Sequence, residues 1–173
     1  MDAFEAISKK LDVREFAQQR VPGEVKGRVL EAARLSPSSM NTQHWRFVLV
    51  QDRANLKRLA ADSTSGKWVE GADFAVIVLT DPKVPGSSID AGRVIQDMEL
   101  AAWNSGVASG IFTGVVEGAL RRDYAIPEQL KVSAVVGFGY PKRKILGRKN
   151  RKPIEELAFA ERYGAKLRAS DIS

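Results

Sequence analysis

The sequence predicts one domain in which helices pack on both faces of a single β-sheet. Two hydrophobic runs, Phe74-Ala75-Val76-Ile77-Val78-Leu79 and Val132-Ser133-Ala134-Val135-Val136-Gly137-Phe138-Gly139, read as strands, and amphipathic helical patterns alternate around them. A chain of 173 residues buries one substantial core more readily than two, so 1–173 is read as a single domain. Pattern alone leaves the strand directions open.

Each element has a local cause. Asp2 can cap a first helix with Glu5 three residues on, and Phe4, Ile7 and Leu11 recur at helical spacing as one apolar stripe that ends near 10–12. Pro22-Gly23 marks a turn, after which Val25, Val29, Ala32 and Ala33 give a second amphipathic helix that stops before Ser36-Pro37. A polar loop fills 37–44, and the aromatic and β-branched run 45–50 reads as a strand. Asp52 caps a short helix carrying Leu56 and Leu59, and 63–67 has loop composition. The run 74–79 is apolar on both alternating faces, as expected of a central strand covered on each side. A surface loop at 84–88 precedes a helix through Asn104 bearing Val94, Met98, Ala101 and Ala102, with Gly106 as its C-terminal stop. The stretch 109–114 is ambiguous, 115–122 reads as helix, 132–139 as strand, and Pro153 opens a tail helix with Ile154, Leu157 and Ala158 on one face.

Composition narrows the chemistry. The chain is 44% hydrophobic and 28% charged, an ordinary globular balance. It has no cysteine, which removes disulfides and thiolate chemistry, and its single histidine argues against an all-protein metal site. A net charge of +6 favours anionic partners without choosing among phosphate-bearing cofactors, nucleic acid and membrane surfaces. Early acids and no long apolar core at the N-terminus argue against a secretory signal, and the longest apolar run is too short to span a bilayer. A cytoplasmic protein without membrane association is the expectation.

Several residue groups could carry function. The segment Ser36-Pro37-Ser38-Ser39-Met40-Asn41-Thr42-Gln43-His44-Trp45-Arg46-Phe47 crowds hydroxyl and amide side chains between a helix and a strand, which suits contacts to a polar ring or sugar chain. An ordinary Ser/Asn turn would look the same. Lys9, Lys10 and Arg14, and the basic stretch 142–152, can each meet a phosphate, although most of the second group reads as solvated surface. The basic runs lack interleaved aromatics and any nucleic-acid-binding signature, and neither of the common glycine-rich nucleotide loops is present, so nucleic acid is not the expected partner. His44 has no evident carboxylate partner and reads as a locally packed loop residue; Asp73, Asp90, Asp97 and Glu99 read most simply as caps and solvated helix faces.

The loop then stops looking generic. Pro37, Ser38, Asn41, Gln43, Trp45 and Phe47 resemble the P-S-x-x-N-x-Q-P-W-x-F segment of the FMN-dependent nitroreductase family, with His44 in place of the second proline. Ala6-Ile7 through Arg14-Glu15-Phe16 is similar to the family's opening A-I-x-x-R-R-S-x-R-x-F. Ile126-Pro127-Glu128, Gly139-Tyr140-Pro141 and 151–157 are similar to its closing motifs, so the likeness covers nearly the whole chain.

The resemblance implies an α+β fold: a three-layer sandwich with a mixed, mainly antiparallel sheet flanked by helices, assembled as an intertwined homodimer with FMN at the subunit interface. NAD(P)H would be the electron donor and a small organic molecule the acceptor. Lys10 and Arg14 would meet the flavin's phosphate and pyrimidine edge, and Lys149 and Arg151 would clamp the phosphate. Pro37, Ser38, Ser39 and Asn41 would come from the other subunit, and the segment Ile111-Phe112-Thr113-Gly114 would sit over the ring with its backbone amides near N5 and O4. Asp12 replaces a serine of the family pattern, Lys10 an arginine and Leu11 a second basic residue; a carboxylate at 12 can accept from flavin N3–H or a ribityl hydroxyl but repels phosphate, which predicts weakened FMN binding. No acid, base or nucleophile is expected, since the flavin is the reactive centre. The alternatives are other FMN chemistry on this scaffold, such as dehalogenation or ring desaturation, and a basic binding protein that has lost FMN.

Overall fold

The computed structural model describes residues 2–172. Asp2 accepts a hydrogen bond from Glu5 N–H at 2.7 Å and opens α1 (Ala3–Lys9), while α2 (Gly23–Leu35) ends two residues before Pro37. Strand β1 (Arg46–Val50) follows, and Asp52 caps α3 (Arg53–Ala61) by accepting from Ala54 and Asn55 N–H. A short 3₁₀ turn at Lys67–Gly71, not foreseen from the pattern, leads into β2 (Phe74–Thr80). Helix α4 (Ser87–Asn104) begins inside the expected loop, and Gly106 leaves it with φ of 74°. That left-handed conformation is what favours glycine there. The ambiguous stretch resolves as β3 (Ala108–Phe112), followed by α5 (Glu117–Asp123) and β4 (Lys131–Gly139).

The four strands run in the order β1-β2-β4-β3, and each neighbouring pair is antiparallel. The parallel component is a single bridge, Asp12 with Ser109, which lays the segment after α1 along the outer edge of β3. This matches the expected sandwich with a mixed, mainly antiparallel sheet. Strand β2 is buried along its whole length and divides its side chains by the pleat. Phe74, Val76 and Val78 join Val29, Ala33, Val94 and Met98 of α2 and α4 on one face. Ala75, Ile77 and Leu79 join Leu56 and Leu59 of α3 and Leu120 of α5 on the other.

Two expectations are corrected. Pro153 opens only a 3₁₀ turn, Ile154–Glu156, in place of a tail helix. Ile154 and Leu157 stay exposed, and a short helix without a surface to bury its apolar face is marginal. The stripe on α1 is likewise uncovered: Ala6 is its buried residue, while Phe4 is 80% exposed. No helix among the described residues is long and apolar enough to cross a membrane.

Candidate flavin site

Four of the expected cofactor contacts meet in one place. Lys10, Asp12, Lys149 and Arg151 line a cavity of about 430 Å³ together with Gln96 and Glu99 of α4 and Ile111 of β3. Its size falls in the range of small-molecule pockets. Arg14 lies exposed just beside it, lining an adjoining cavity of about 470 Å³ that also contains Asp12, Pro141 and Lys144. The bridge from Asp12 to Ser109 and the hydrogen bond from Val13 N–H to Ser109 O at 2.8 Å set this register, carrying 10–14 across the end of β3.

The charges in the cavity are already partly paired. Lys10 is buried, and its Nζ lies 2.5 Å from Asp12 Oδ1 and 2.8 Å from Glu99 Oε1. Glu99 Oε1 also accepts from Ser109 Oγ at 2.9 Å. Lys149 Nζ donates to Ile7 O at the end of α1. Arg151 donates through Nη1 to Asn150 O at 2.9 Å, which leaves the rest of its fork available to a ligand.

The 37–44 loop opens elsewhere on the chain. Pro37 lines a groove of about 520 Å³ with Ile89, Arg93, Gln96 and Asp97 of α4, so Gln96 faces both cavities. Three non-glycine residues of the loop, Met40, Asn41 and Gln43, have φ between 48° and 55°. Such conformations persist where surrounding contacts impose them, and they cluster at binding sites. Here the contacts are visible. Ser38 Oγ accepts from Gln43 N–H at 2.9 Å, and Ser39 N–H donates to Asp90 Oδ2 at 2.9 Å.

That aspartate corrects the reading of His44. The ring is buried; its Nε2 lies 3.1 Å from Asp90 Oδ2, and its Nδ1 accepts from Asp81 N–H at 3.3 Å. A carboxylate partner therefore exists, 46 residues away. Burial alone would raise the Asp90 carboxyl, but the Ser39 N–H, the His44 hydrogen bond and the charge of Arg93 outweigh it and hold the group below the ordinary carboxylate range. Asp73, Asp90 and Glu99, expected on caps or solvated faces, are all buried and paired; Asp73 takes Lys26 Nζ at 2.8 Å. Asp97 accepts from Ser36 Oγ at 2.5 Å. Asp90 and Glu99 fall on a helix face that also carries Val94, Ile95, Met98 and Ala102. A carboxylate on an apolar stripe was the available signal for a buried pair.

Phe112 belongs to the segment expected to meet the ring through its backbone amides. Its side chain is buried in the core, edge-on to Trp68 at 5.6 Å between centroids, so the backbone is what remains for a ligand. Gly114 O accepts from Thr64 N–H at 2.9 Å, and a Cβ at Gly114 would lie 2.4 Å from Thr64 Oγ1; Thr113 sits between these two anchored positions.

Sequence comparison decides the family. A protein of Methanothermobacter thermautotrophicus, described as a candidate NADH dehydrogenase/NAD(P)H nitroreductase, is 33% identical over 151 residues, spanning 82% of this chain and 78% of its own. The chain belongs to the nitroreductase family. The model of that family matches residues 7–84, which takes in the end of α1, the 37–44 loop and β2 of this nitroreductase-family chain. A similarly described protein of Archaeoglobus fulgidus is 31% identical and is covered over 86% of its length. Among solved structures, one from Bacteroides thetaiotaomicron with the same description superposes with a TM-score of 0.85 at 26% identity, over 93% of this chain and 98% of that one. An FMN-dependent nitroreductase from Clostridium difficile R20291 shares the fold with a TM-score of 0.85 at 20% identity, over 92% and 99%.

Proposed function

We propose that this nitroreductase-family oxidoreductase works as an FMN-dependent homodimer that oxidises NAD(P)H and reduces a small organic acceptor of the nitroaromatic or quinone type. The observation that carries the reading is the cavity joining Lys10, Asp12, Lys149 and Arg151, because it gathers residues from both ends of the chain that the resemblance assigns to one cofactor. The donor set suits a phosphorylated flavin. Arg151 has unspent donors at the cavity, and planar bidentate recognition of phosphate is a strength of arginine.

The chemistry FMN would supply when bound is acceptance of hydride at N5 from NAD(P)H and return of the electrons to the acceptor, in ping-pong order. The chain's own work is positioning and charge. Lys149 and Arg151 would hold the phosphate, and Asp12 would accept from a ribityl hydroxyl or from N3–H. Arg14, exposed beside the cavity, would balance the negative charge that develops at the pyrimidine edge. Ser38, Ser39 and Asn41 present polar groups from a loop fixed by Asp90. The backbone of 112–114 would complete the site without the Phe112 ring.

Pro37 and Lys10 face different cavities of one chain, which supports a site completed by a second copy. Uncovered apolar side chains support the same assembly: Phe4 and Ile7 on α1, and Leu146, Ile154, Leu157 and Tyr163 on the tail, the last 94% exposed. The test is the absorbance spectrum of protein mixed with FMN and gel-filtered, followed by anaerobic addition of NADH and then NADPH. Retained flavin that bleaches is the expected result and ranks the donors. Retained flavin that neither donor bleaches refutes the hydride source, and no retained flavin refutes the reading.

A further inference from the structure

Glu99 has no role in the reading above, yet it lines the same cavity. It is 5% exposed on α4, and both contacts of its Oε1, to Lys10 Nζ at 2.8 Å and Ser109 Oγ at 2.9 Å, are with buried partners. The Lys10 ammonium has three donors, and two are directed at the carboxylates of Asp12 and Glu99. This trio carries one positive charge against two negative ones. Taken with Lys149 and Arg151, the cavity lining holds three cations and two anions, a net charge of only +1 for a phosphate group bearing nearly two negative charges.

We propose that Glu99 sets cofactor specificity: by holding Lys10 in a buried ion pair it withdraws that cation from the phosphate, which leaves Lys149 and Arg151 to hold it and narrows the preference for FMN over riboflavin. The inference rests on the flavin reading. Burial makes the arrangement durable, since a lysine almost enclosed by protein and facing two carboxylates cannot turn to a new anion without leaving Glu99 desolvated and unpaired. Asp12, half exposed, contributes the more screened share of the negative charge.

The experiment measures dissociation constants of the full-length protein for FMN and for riboflavin by quenching of flavin fluorescence, in the native chain and in Glu99→Gln, Asp12→Asn and the double variant Lys10→Gln/Glu99→Gln. Glutamine keeps an acceptor for Lys10 and Ser109 while removing one negative charge. Glu99→Gln should tighten FMN about five- to tenfold, from a unit charge acting on a phosphate at an effective dielectric between protein and water, and leave riboflavin within about twofold. Asp12→Asn should move the FMN-to-riboflavin ratio in the same direction by less, and added salt should shrink both effects. The double variant, which removes one charge of each sign, should keep the native ratio within about twofold. An unchanged ratio in Glu99→Gln, with FMN still bound, overturns the proposal and leaves the flavoprotein reading standing. Should Glu99→Gln fail to fold, Glu99→Asp, whose shorter arm loosens its hold on Lys10, replaces it, and an unchanged ratio there overturns the proposal equally. Failure of the native chain and every variant to bind either flavin overturns the flavoprotein reading itself.

Discussion

Replacing Asp90 by alanine should loosen the 37–44 loop at a cost that follows from two donors, one buried on His44 and one half-buried at Ser39. Asp90 Oδ2 accepts from Ser39 N–H at 2.9 Å and stands 3.1 Å from His44 Nε2; Arg93 Nη1 is 3.5 Å from Oδ1. His44 Nδ1 accepts from Asp81 N–H, so the network assigns the ring proton to Nε2, which donates to Asp90. Alanine strands both donors. At about 1–3 kcal/mol for the buried His44 donor and about 1–2 kcal/mol for the half-buried Ser39 N–H, the loss is about 2–5 kcal/mol. In a domain of this size that lowers Tm by roughly 4–20 °C. Asparagine separates geometry from charge, since its amide oxygen can occupy the place of Oδ2 and accept from both donors, and it should cost only about 1 kcal/mol. The sign of the pH effect follows from the Asp90 carboxyl being held below the ordinary range in the folded state. Its stabilisation is complete above the unfolded value, about 3.9, and is lost as pH falls through that value toward the lower folded one. The gap between native and Asp90→Asn stability should therefore be open at neutral pH and close on acidification below about pH 4. Urea unfolding across pH, at matched protein concentration, reads both quantities. An alanine variant no less stable than the asparagine variant, or a gap that stays open in acid, would refute the reasoning.

Two further outcomes follow from buried geometry. Asp73→Ala leaves the buried Lys26 ammonium without the carboxylate at 2.8 Å and Val21 N–H without its acceptor at 3.1 Å; chemical denaturation should show a loss of about 3–5 kcal/mol, well above that of the double variant Lys26→Met/Asp73→Asn, and equal losses would contradict it. Gly137→Ala places a Cβ 2.8 Å from Trp68 Cζ3 and 3.1 Å from Val69 Cγ2, under an indole already wedged between Phe16 and Phe112; thermal unfolding should show a loss of about 1–3 kcal/mol with a changed tryptophan emission, and an unaltered Tm would mean the indole can yield.

Local signals were the legible ones. Asp2 and Asp52 cap the helices assigned to them because a cap is satisfied within three residues. The run 74–79 read as a doubly covered strand because both faces of its pleat are apolar, and β2 is buried along its length. The tail defeated the same logic. Ile154, Leu157 and Ala158 carry a helical pattern, but the pattern says which residues want burial and not whether this chain supplies the surface. The 10–14 segment and the pair Lys149 and Arg151 were legible through motif likeness alone, and the cavity that joins them comes from the run of 10–14 along the edge of β3, a long-range contact.

Helix α4 is where sequence reading fell furthest short, because its acidic residues look solvated one at a time and act together in the fold. Asp90 fixes Ser39 and His44, Asp97 takes the Ser36 hydroxyl, and Glu99 holds Lys10 and Ser109. One rigid element thus grips both the loop at 36–44 and the charged cavity, and Gln96 between them faces each. Moving α4 would shift both half-sites together.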